Sequence, residues 1–278
     1  MISPMTDTRI QISSGHRRRA SRSRRTATTR VGTGVATARG ALRRLGSMLV
    51  VSDGPRADLV ALCERGLDWQ TGASRLLPDM GTARQAAVLV LFGVLDAVPA
   101  RAQMPASGAG RFPRDLDVLL LRRAATLGSH PGQIAFPGGR LEPTDSGPVA
   151  AALREAVEET GLDPDGLEPL GTLPPMPVPV SNHLVTPVPA WWTSPSEVAA
   201  VDHAETVEVF RVPVADLLDP ANRANTEHVV AGTTYRAPAF SVGGRLVWGF
   251  TAIVLSRMFD ELGWAEGWDH NRVVRPDH

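Results

Sequence analysis

Lysine is absent from the sequence, cysteine occurs once, and long apolar runs are missing. With Cys63 as its single cysteine, the chain forms no internal disulfide and no zinc site built from several cysteines. No apolar run approaches the about 20 residues that a helix needs to cross a bilayer, so we do not expect a membrane-embedded protein. The chain has 278 residues, of which 43% are hydrophobic, and this is enough for a sizeable core.

The formal net charge of zero is the average of two unlike parts. Residues 1–47 contain 11 arginines and one acidic residue, whereas residues 48–278 contain 18 arginines and 28 acidic residues. The first part is also rich in serine, threonine and glycine, with too few apolar side chains to offset the entropy of ordering. We interpret it as a disordered tail. The acidic body is poorly suited to nucleic acid, because positive charge drives phosphate binding.

Three other interpretations of the tail stay open. It could tether the protein to nucleic acid or another acidic surface. It could be an organelle transit peptide, since these are rich in arginine and serine. Translation could also begin at Met48, because the lack of lysine indicates a GC-rich coding sequence that would read as arginine and alanine even upstream of the start. No secretory apolar stretch follows the basic cluster, so we expect a cytoplasmic protein.

Apolar patterning in the body predicts short strands mixed with helices. The predicted strands are 85–95, 117–122, 133–136, 184–192, 207–212, 227–231 and 246–248. The predicted helices are 56–66, 148–160, 214–218 and 250–262. Proline-rich stretches at 98–113 and 171–180 are predicted loops. This mixture predicts an α+β fold with a mixed sheet between helices. We divide the body into a helical extension (48–83), a main domain (84–265) and a C-terminal tail (266–278).

The helix predicted at 148–160 carries an acidic face. At about 100° per residue, Glu158 and Glu159 lie within about 60° of Glu155, and the apolar residues lie opposite. Neighbouring like charges repel by a few tenths of a kcal/mol per pair. Such a face is therefore either well solvated or the place where a cation binds.

A glycine pair precedes this helix and favours the cation. Gly138 and Gly139 allow close approach of the backbone and can offer a carbonyl oxygen to a metal. Carboxylate and carbonyl oxygens suit Mg²⁺ or Mn²⁺, which usually bridge substrate phosphates. These residues predict a site for phosphate chemistry.

The segment Gly139–Leu162 resembles the Nudix box, G-x5-E-x7-R-E-U-x-E-E-x-G-U, in which U is aliphatic. Its second half, from Arg154 onward, fits the consensus with Ala156 at the aliphatic position. In the first half, Asp145 replaces the usual glutamate, and eight residues instead of seven separate it from Arg154. This spacing predicts a shifted or weaker role for the first acid.

The flanks are similar to those of coenzyme A pyrophosphatases. The matching segments are Val118–Arg123, His130–Gly139, Ser181–Val188 and Val247–Ala252. The resemblance covers residues 84–262 and implies a Nudix-type α/β/α sandwich with a mixed sheet. It further implies metal-dependent hydrolysis of coenzyme A or acyl-CoA to 3′-phosphoadenosine 5′-phosphate and (acyl-)4′-phosphopantetheine.

The resemblance also implies residue roles. Glu155, Glu158 and Glu159, with the carbonyl of Gly139, would hold Mg²⁺ or Mn²⁺. Arg154 would orient a glutamate through a charge-assisted hydrogen bond. Either Glu155 or Glu159 would act as general base.

A diphosphate also needs cationic partners. We therefore expect Arg122 and Arg123, at a predicted strand end, to bind substrate together with Gly138–Gly139. Glu205 or Glu208 is the candidate for a further metal ligand.

Other conspicuous side chains receive structural interpretations. His130 and His183 are predicted to be surface groups that form hydrogen bonds. Trp191–Trp192 and Trp248 are predicted to be core or interface residues. Cys63 is predicted to be a core or half-buried thiol and not a nucleophile, because no nearby group lowers its pKa.

Two other functions stay open. The protein could hydrolyse a different nucleoside diphosphate derivative, such as ADP-ribose, or a nucleoside triphosphate. It could also be a non-catalytic protein that senses nucleotides or tethers nucleic acid. The expected partner is a small nucleotide substrate, coenzyme A or acyl-CoA, and not a membrane. Nucleic acid is an expected partner only through the arginine-rich tail, and assembly into a homodimer is left open.

Overall fold

The computed structural model describes residues 54–69, 80–94, 116–126, 131–230 and 232–276. The tail 1–47, Met48, the loop 98–113 and His130 lie outside the described residues, and the predictions for them stay predictions. No helix in the described ranges is long and apolar enough to cross a membrane.

The described chain consists of short strands with helices between them. The strands are β1 (Arg84–Val94), β2 (Leu116–Arg123), β3 (Ile134–Ala135), β4 (Gly138–Arg140), β5 (Leu167–Pro169), β6 (Met176–Val178), β7 (His183–Trp192), β8 (Thr206–Pro213), β9 (Arg223–Val230), β10 (Thr233–Val242) and β11 (Arg245–Val247). The helices are α1 (Pro55–Arg65), α2 (Pro148–Thr160), α3 (Val214–Leu218) and α4 (Gly249–Leu262).

Strand β1 is the centre of the larger sheet. It pairs in parallel with β7 and antiparallel with β2 and β4. Strand β8 pairs with β2, and β9, β10 and β11 form a separate antiparallel sheet. The expected α+β fold with a mixed sheet is confirmed.

The two faces of the larger sheet are covered differently. Side chains alternate along β1, so Leu89 and Leu91 face α2, whereas Val90 and Phe92 face the opposite way. The opposite face packs against α1, α3, α4 and the smaller sheet. Helix α2 therefore covers one face of the sheet, and most of the remaining elements cover the other.

Two segments predicted to lie outside the main domain pack into it. Leu59 and Leu62 of α1 are fully buried in the core beside α4. In the predicted C-terminal tail, the Asn225 N–H donates to the Arg272 carbonyl, and the Val274 N–H donates to the Asn225 carbonyl. Both ends of the described chain are thus part of the same packed body.

The sequence-based prediction missed or misplaced some strands. Residues 171–180 were predicted to be loop, yet β6 lies within them and pairs antiparallel with β7. Pro177 is tolerated there because β6 pairs with a single strand, which leaves one side of its backbone free of the ladder. Strand β10 was missed because Pro238 and a polar first half conceal its alternation.

Candidate active site

Small side chains bring helix α2 close to the sheet. Ala151, Ala152 and Ala156 are fully buried and pack in one cluster with Leu89 and Leu91 of β1. Pro148 opens the helix, and the left-handed Gly161 ends it by donating its N–H to the Val157 carbonyl. This packing positions the acidic side of the helix over β4.

Glu159 is the most enclosed carboxylate of that acidic side. It is 9% exposed, and one oxygen, Oε2, accepts the Gly138 N–H at 2.8 Å. Burial raises the pKa of Glu159 to about 7, and the negative charges of Glu155 and Glu205 also raise it. The Gly138 hydrogen bond and the positive charge of Arg123 oppose this rise.

The glycine pair is required by the close approach of its neighbours. A Cβ at Gly138 would lie 2.3 Å from the Ala87 carbonyl oxygen, and the residue has φ of +151°. A Cβ at Gly139 would lie 2.4 Å from the carboxylate of Glu155. The backbone of β4 thus contacts two glutamates of α2, and a side chain at Gly139 would occupy the space of Glu155, whereas a side chain at Gly138 would collide with β1.

Arg154 connects the loop before α2 to the acidic face. It donates from Nε and Nη2 to Asp145 at 3.1 and 3.0 Å, and it lies 3.2 Å from Glu155 and 3.1 Å from Glu158. Arg154 holds the pKa of Asp145 below its usual value, and Asp145 also accepts the Glu142 N–H. The longer loop thus still delivers the Asp145 carboxylate to Arg154, and the shifted or weaker role of this acid stays a prediction.

The three glutamates predicted to bind metal do not converge equally. Glu155 and Glu159 lie against the glycine pair, whereas the exposed Glu158 pairs with Arg154. Burial is also the main cause of a raised pKa at Glu155, which Arg154 opposes. Among the described residues, no three acidic, histidine or cysteine side chains stand close enough to hold a metal ion.

The two predicted substrate-binding arginines point to opposite sides of the sheet. Arg123 acts electrostatically on Glu159, and its buried Nε has no hydrogen-bond partner in the described structure. Arg122 instead pairs with Glu208 at 3.4 Å. Two residues were candidates for a further metal ligand. The negative charge of Glu205 raises the pKa of Glu159, whereas Glu208 forms ion pairs with Arg122 and Arg245.

Arg245 is a second partner of Glu208, and sequence reasoning missed it. Its guanidinium forms a hydrogen-bonded ion pair with Glu208 and lies over the Phe210 ring, 4.4 Å from the centroid. The signal that could have found it is the pair Gly243–Gly244 with positive φ, a hairpin turn that directs β11 back along β10.

The structure describes most of the other side chains that received structural interpretations. Burial raises the pKa of Cys63 to about 11, as expected of an unreactive thiol. Trp192 is 4% exposed, and Trp248 stacks on His228 with ring centroids 5.8 Å apart. His183 begins β7 at a half-buried position.

Comparison with known proteins places residues 104–231 under the family model described as the NUDIX domain. A protein of Cronobacter sakazakii named "Uncharacterized Nudix hydrolase NudL" is 37% identical over 153 residues, which cover 52% of this chain and 75% of that protein. The protein of the same name from Photorhabdus laumondii is 33% identical over 145 residues, covering 52% and 76%. Among solved structures, a MutT/nudix family protein from Enterococcus faecalis aligns with a TM-score of 0.39 at 15% identity, covering 76% of this chain and 75% of that one.

Proposed function

The chain belongs to the Nudix hydrolase family, and we propose that it hydrolyses the pyrophosphate of coenzyme A or acyl-CoA. The products would be 3′-phosphoadenosine 5′-phosphate and (acyl-)4′-phosphopantetheine. The observation that carries the reaction type is the packing of Glu155 and Glu159 against Gly138–Gly139. The motifs on either side of the Nudix box support coenzyme A as the substrate.

Nudix hydrolases generally use divalent cations, and the residues of this site fit one. Two carboxylates with pKa values raised by burial lie beside the two glycines of β4, so oxygen donors are concentrated there, and the positive charges of Arg154 and Arg123 offset the raised pKa values only in part. A bound Mg²⁺ or Mn²⁺ would neutralise the diphosphate and activate a water. We assign Glu155, Glu159 and the Gly139 carbonyl to this ion, with Glu158 joining once it leaves Arg154.

The chain's own residues would position the substrate and move the proton. Arg123, the arginine that acts on Glu159, would bind the negative diphosphate oxygens. Either Glu155 or Glu159 would accept the proton of the attacking water as a P–O bond of the anhydride breaks. Arg154, fixed by Asp145, would keep Glu155 oriented.

The domain that carries this function corresponds to residues 84–265 in our proposal, and α1 completes its core. The N-terminal segment 1–47 contributes no residue to the assigned site. We therefore expect hydrolysis to depend on the body of the protein and not on the arginine-rich segment.

Product analysis of the purified protein tests the proposal. The reactions contain Mg²⁺ or Mn²⁺ and, separately, coenzyme A, acetyl-CoA, ADP-ribose, NADH or a deoxynucleoside triphosphate. Glu159→Gln is the test variant, and Glu266→Gln, at an exposed position near the C-terminus, is the matched control. We expect metal-dependent release of 3′-phosphoadenosine 5′-phosphate from coenzyme A, lost in the first variant and kept in the second.

Each other outcome corrects a different part of the proposal. Turnover of ADP-ribose or the triphosphate in place of coenzyme A would keep the reaction and overturn the substrate. Full activity of Glu159→Gln would overturn the site. Absence of turnover with every compound would favour a protein that senses nucleotides without hydrolysing them.

A further inference from the structure

A cavity of about 780 Å³ lies at the C-terminal end of α2, beside the candidate active site. Thr160 and Gly161, the two residues after Glu159, form part of its wall. The loop 196–201 forms another part of the wall and is hydrogen-bonded to the same helix end. The Val201 N–H donates to the Glu159 carbonyl, and the Ala199 N–H donates to the Thr160 carbonyl. The cavity is therefore fixed to the backbone of the proposed catalytic helix.

Strand β8 connects the cavity to the phosphate-binding end of the site. It begins at Thr206, which pairs with Arg123, and reaches the cavity with Val209, Phe210 and Arg211. A substrate whose pyrophosphate lies between Arg123 and Glu159 can extend along this strand. The part of the substrate beyond the pyrophosphate would then enter the cavity.

The charges of the cavity favour an anion. Arg211 is half-buried in its wall, and its guanidinium forms no hydrogen bond or ion pair with any residue that the structure describes. Arg245 lines the cavity too, held in place by Glu208 and the Phe210 ring. Glu197 is the carboxylate in the wall. A guanidinium partly removed from water without a partner gains most from a ligand that accepts several hydrogen bonds, as a phosphate does.

The rest of the lining suits the ring system of a nucleotide. Val201, Val209 and Phe210 provide apolar surface next to the two arginines. Cavities that bind small molecules typically combine apolar walls with a few placed polar groups. A phosphorylated nucleoside satisfies both properties of this lining.

We propose that this cavity binds a phosphate monoester carried by the nucleoside of the substrate, with Arg211 as its principal partner and Arg245 as the second. The inference rests on the proposed function, because the ribose 3′-phosphate of coenzyme A is such a group. ADP-ribose and NADH lack it. Arg211 and Arg245 are thus specificity-determining residues that select substrates with a third phosphate outside the pyrophosphate.

Steady-state kinetics with coenzyme A and 3′-dephospho-coenzyme A test the assignment. Arg211→Met removes the charge and keeps the length of the side chain, and Arg211→Lys keeps the charge. We expect Arg211→Met to raise KM for coenzyme A by about tenfold or more, the usual effect of losing a charge-assisted hydrogen bond. The KM for the dephosphorylated compound should change by less than about twofold.

Two controls separate recognition of the phosphate from a general effect. Arg211→Lys should recover part of the affinity for coenzyme A. Arg236→Met removes an equal charge from an exposed ion pair with Glu227 on the smaller sheet, and it should leave both constants unchanged. An equal effect of Arg211→Met on both substrates, or no effect on either, overturns the inference.

Direct binding separates failure of this inference from failure of the proposed function. Calorimetry compares 3′-phosphoadenosine 5′-phosphate with AMP, and neither compound contains a cleavable pyrophosphate. Tighter binding of the bisphosphate, lost in Arg211→Met, supports the inference even if the protein hydrolyses no coenzyme A. Equal binding of the two compounds overturns it even if coenzyme A is hydrolysed.

Discussion

The two faces of the central sheet are packed with different side chains, and the difference separates stability from chemistry. The face opposite α2 is filled with large residues, among them three aromatic side chains in contact. The ring centroid of Phe259 lies 6.3 Å from that of Phe240 and 6.1 Å from that of Trp264. The α2 face is built mainly on alanines and aliphatic residues of the strands. Large side chains bury the most area, so we assign the greater part of the hydrophobic stabilisation to the opposite face.

The alanines of the α2 face serve a different purpose. Since Ala151, Ala152 and Ala156 have almost no side chain, the helix axis approaches the sheet closely enough for Glu155 and Glu159 to touch β4. Close packing removes these carboxylates from water, which raises their pKa values. One face therefore stabilises the fold. The other buries carboxylates whose ionised form loses hydration, and a bound cation would offset that loss.

Truncation on the opposite face should have the largest effect on stability. Phe259 is fully buried, and Phe259→Ala should lower the free energy of unfolding by about 3–5 kcal/mol through lost burial and a residual cavity. Denaturant unfolding measures this change. Hydrolysis per folded molecule should stay within about twofold, because no proposed catalytic residue touches Phe259.

The exposed apolar residue Val229 supplies the control. It is 72% exposed, and Val229→Ala should leave unfolding nearly unchanged. Comparable destabilisation by the two substitutions would contradict the assignment of stability to the aromatic face.

A methyl group added on the α2 face should lower activity and leave stability nearly unchanged. Gly139→Ala places a Cβ where the Glu155 carboxylate lies, so the carboxylate must move away from β4. We expect kcat/KM to fall about a hundredfold, since misplacement of a reacting group by about 1 Å has effects of this size. Thermal unfolding should change little, because the displaced atoms are the end of a flexible side chain. Gly267, which has no neighbour within 4 Å of an added Cβ, provides the matched Gly267→Ala control.

Unchanged hydrolysis by Gly139→Ala would show that Glu155 is not needed at β4. A large loss of stability with the loss of activity would show that this face also carries the fold. Either result would remove the contrast between the faces.

Much of this arrangement could be predicted from the sequence, and what was missed has physical reasons. The acidic face of α2 follows from helical spacing alone. The pair Gly138–Gly139 indicates that neighbouring atoms approach the backbone closely, because glycine has no side chain. The partners Arg245 and Glu208 are 37 residues apart in sequence. They meet only because β8 and β11 lie near each other in the fold, and no local pattern encodes this. The alternation of β10 is hidden because the first four residues of that strand are exposed on both faces.

A smaller effect is expected from the loop that supports the α2 face. Asp145→Asn removes the charge that holds Arg154 but keeps the shape of the side chain. We expect kcat to fall about tenfold, in line with other substitutions of residues that orient ligands, and KM to change little. Asp163→Asn is the control, because Asp163 caps a turn elsewhere. A change in KM alone would indicate that Asp145 acts on substrate binding and not on the orientation of Glu155.

The smallest predicted effect is a pH dependence of stability that belongs to the α2 face. The pKa of Glu159 is about 7 in the folded protein and 4.5 in its unperturbed state. Between these values the folded protein holds a proton that the unfolded chain has released, so stability must fall as pH rises. We expect a loss of about 1 kcal/mol between pH 6 and 7 in protein treated with a chelator, because the unfolded chain is almost fully ionised there while the folded protein still releases its proton.

Thermal unfolding of the wild type and Glu159→Gln across this range measures that loss. The variant has no ionisable group at the position, so its unfolding temperature should fall less with pH, and at pH 7 the metal-free variant should be the more stable protein. Saturating Mg²⁺ should remove the fall of the unfolding temperature with pH in the wild type, because a bound cation stabilises the ionised carboxylate. Parallel pH profiles of the two metal-free proteins would mean that Glu159 ionises at its ordinary pKa. The close packing of α2 would then not raise the pKa of Glu159.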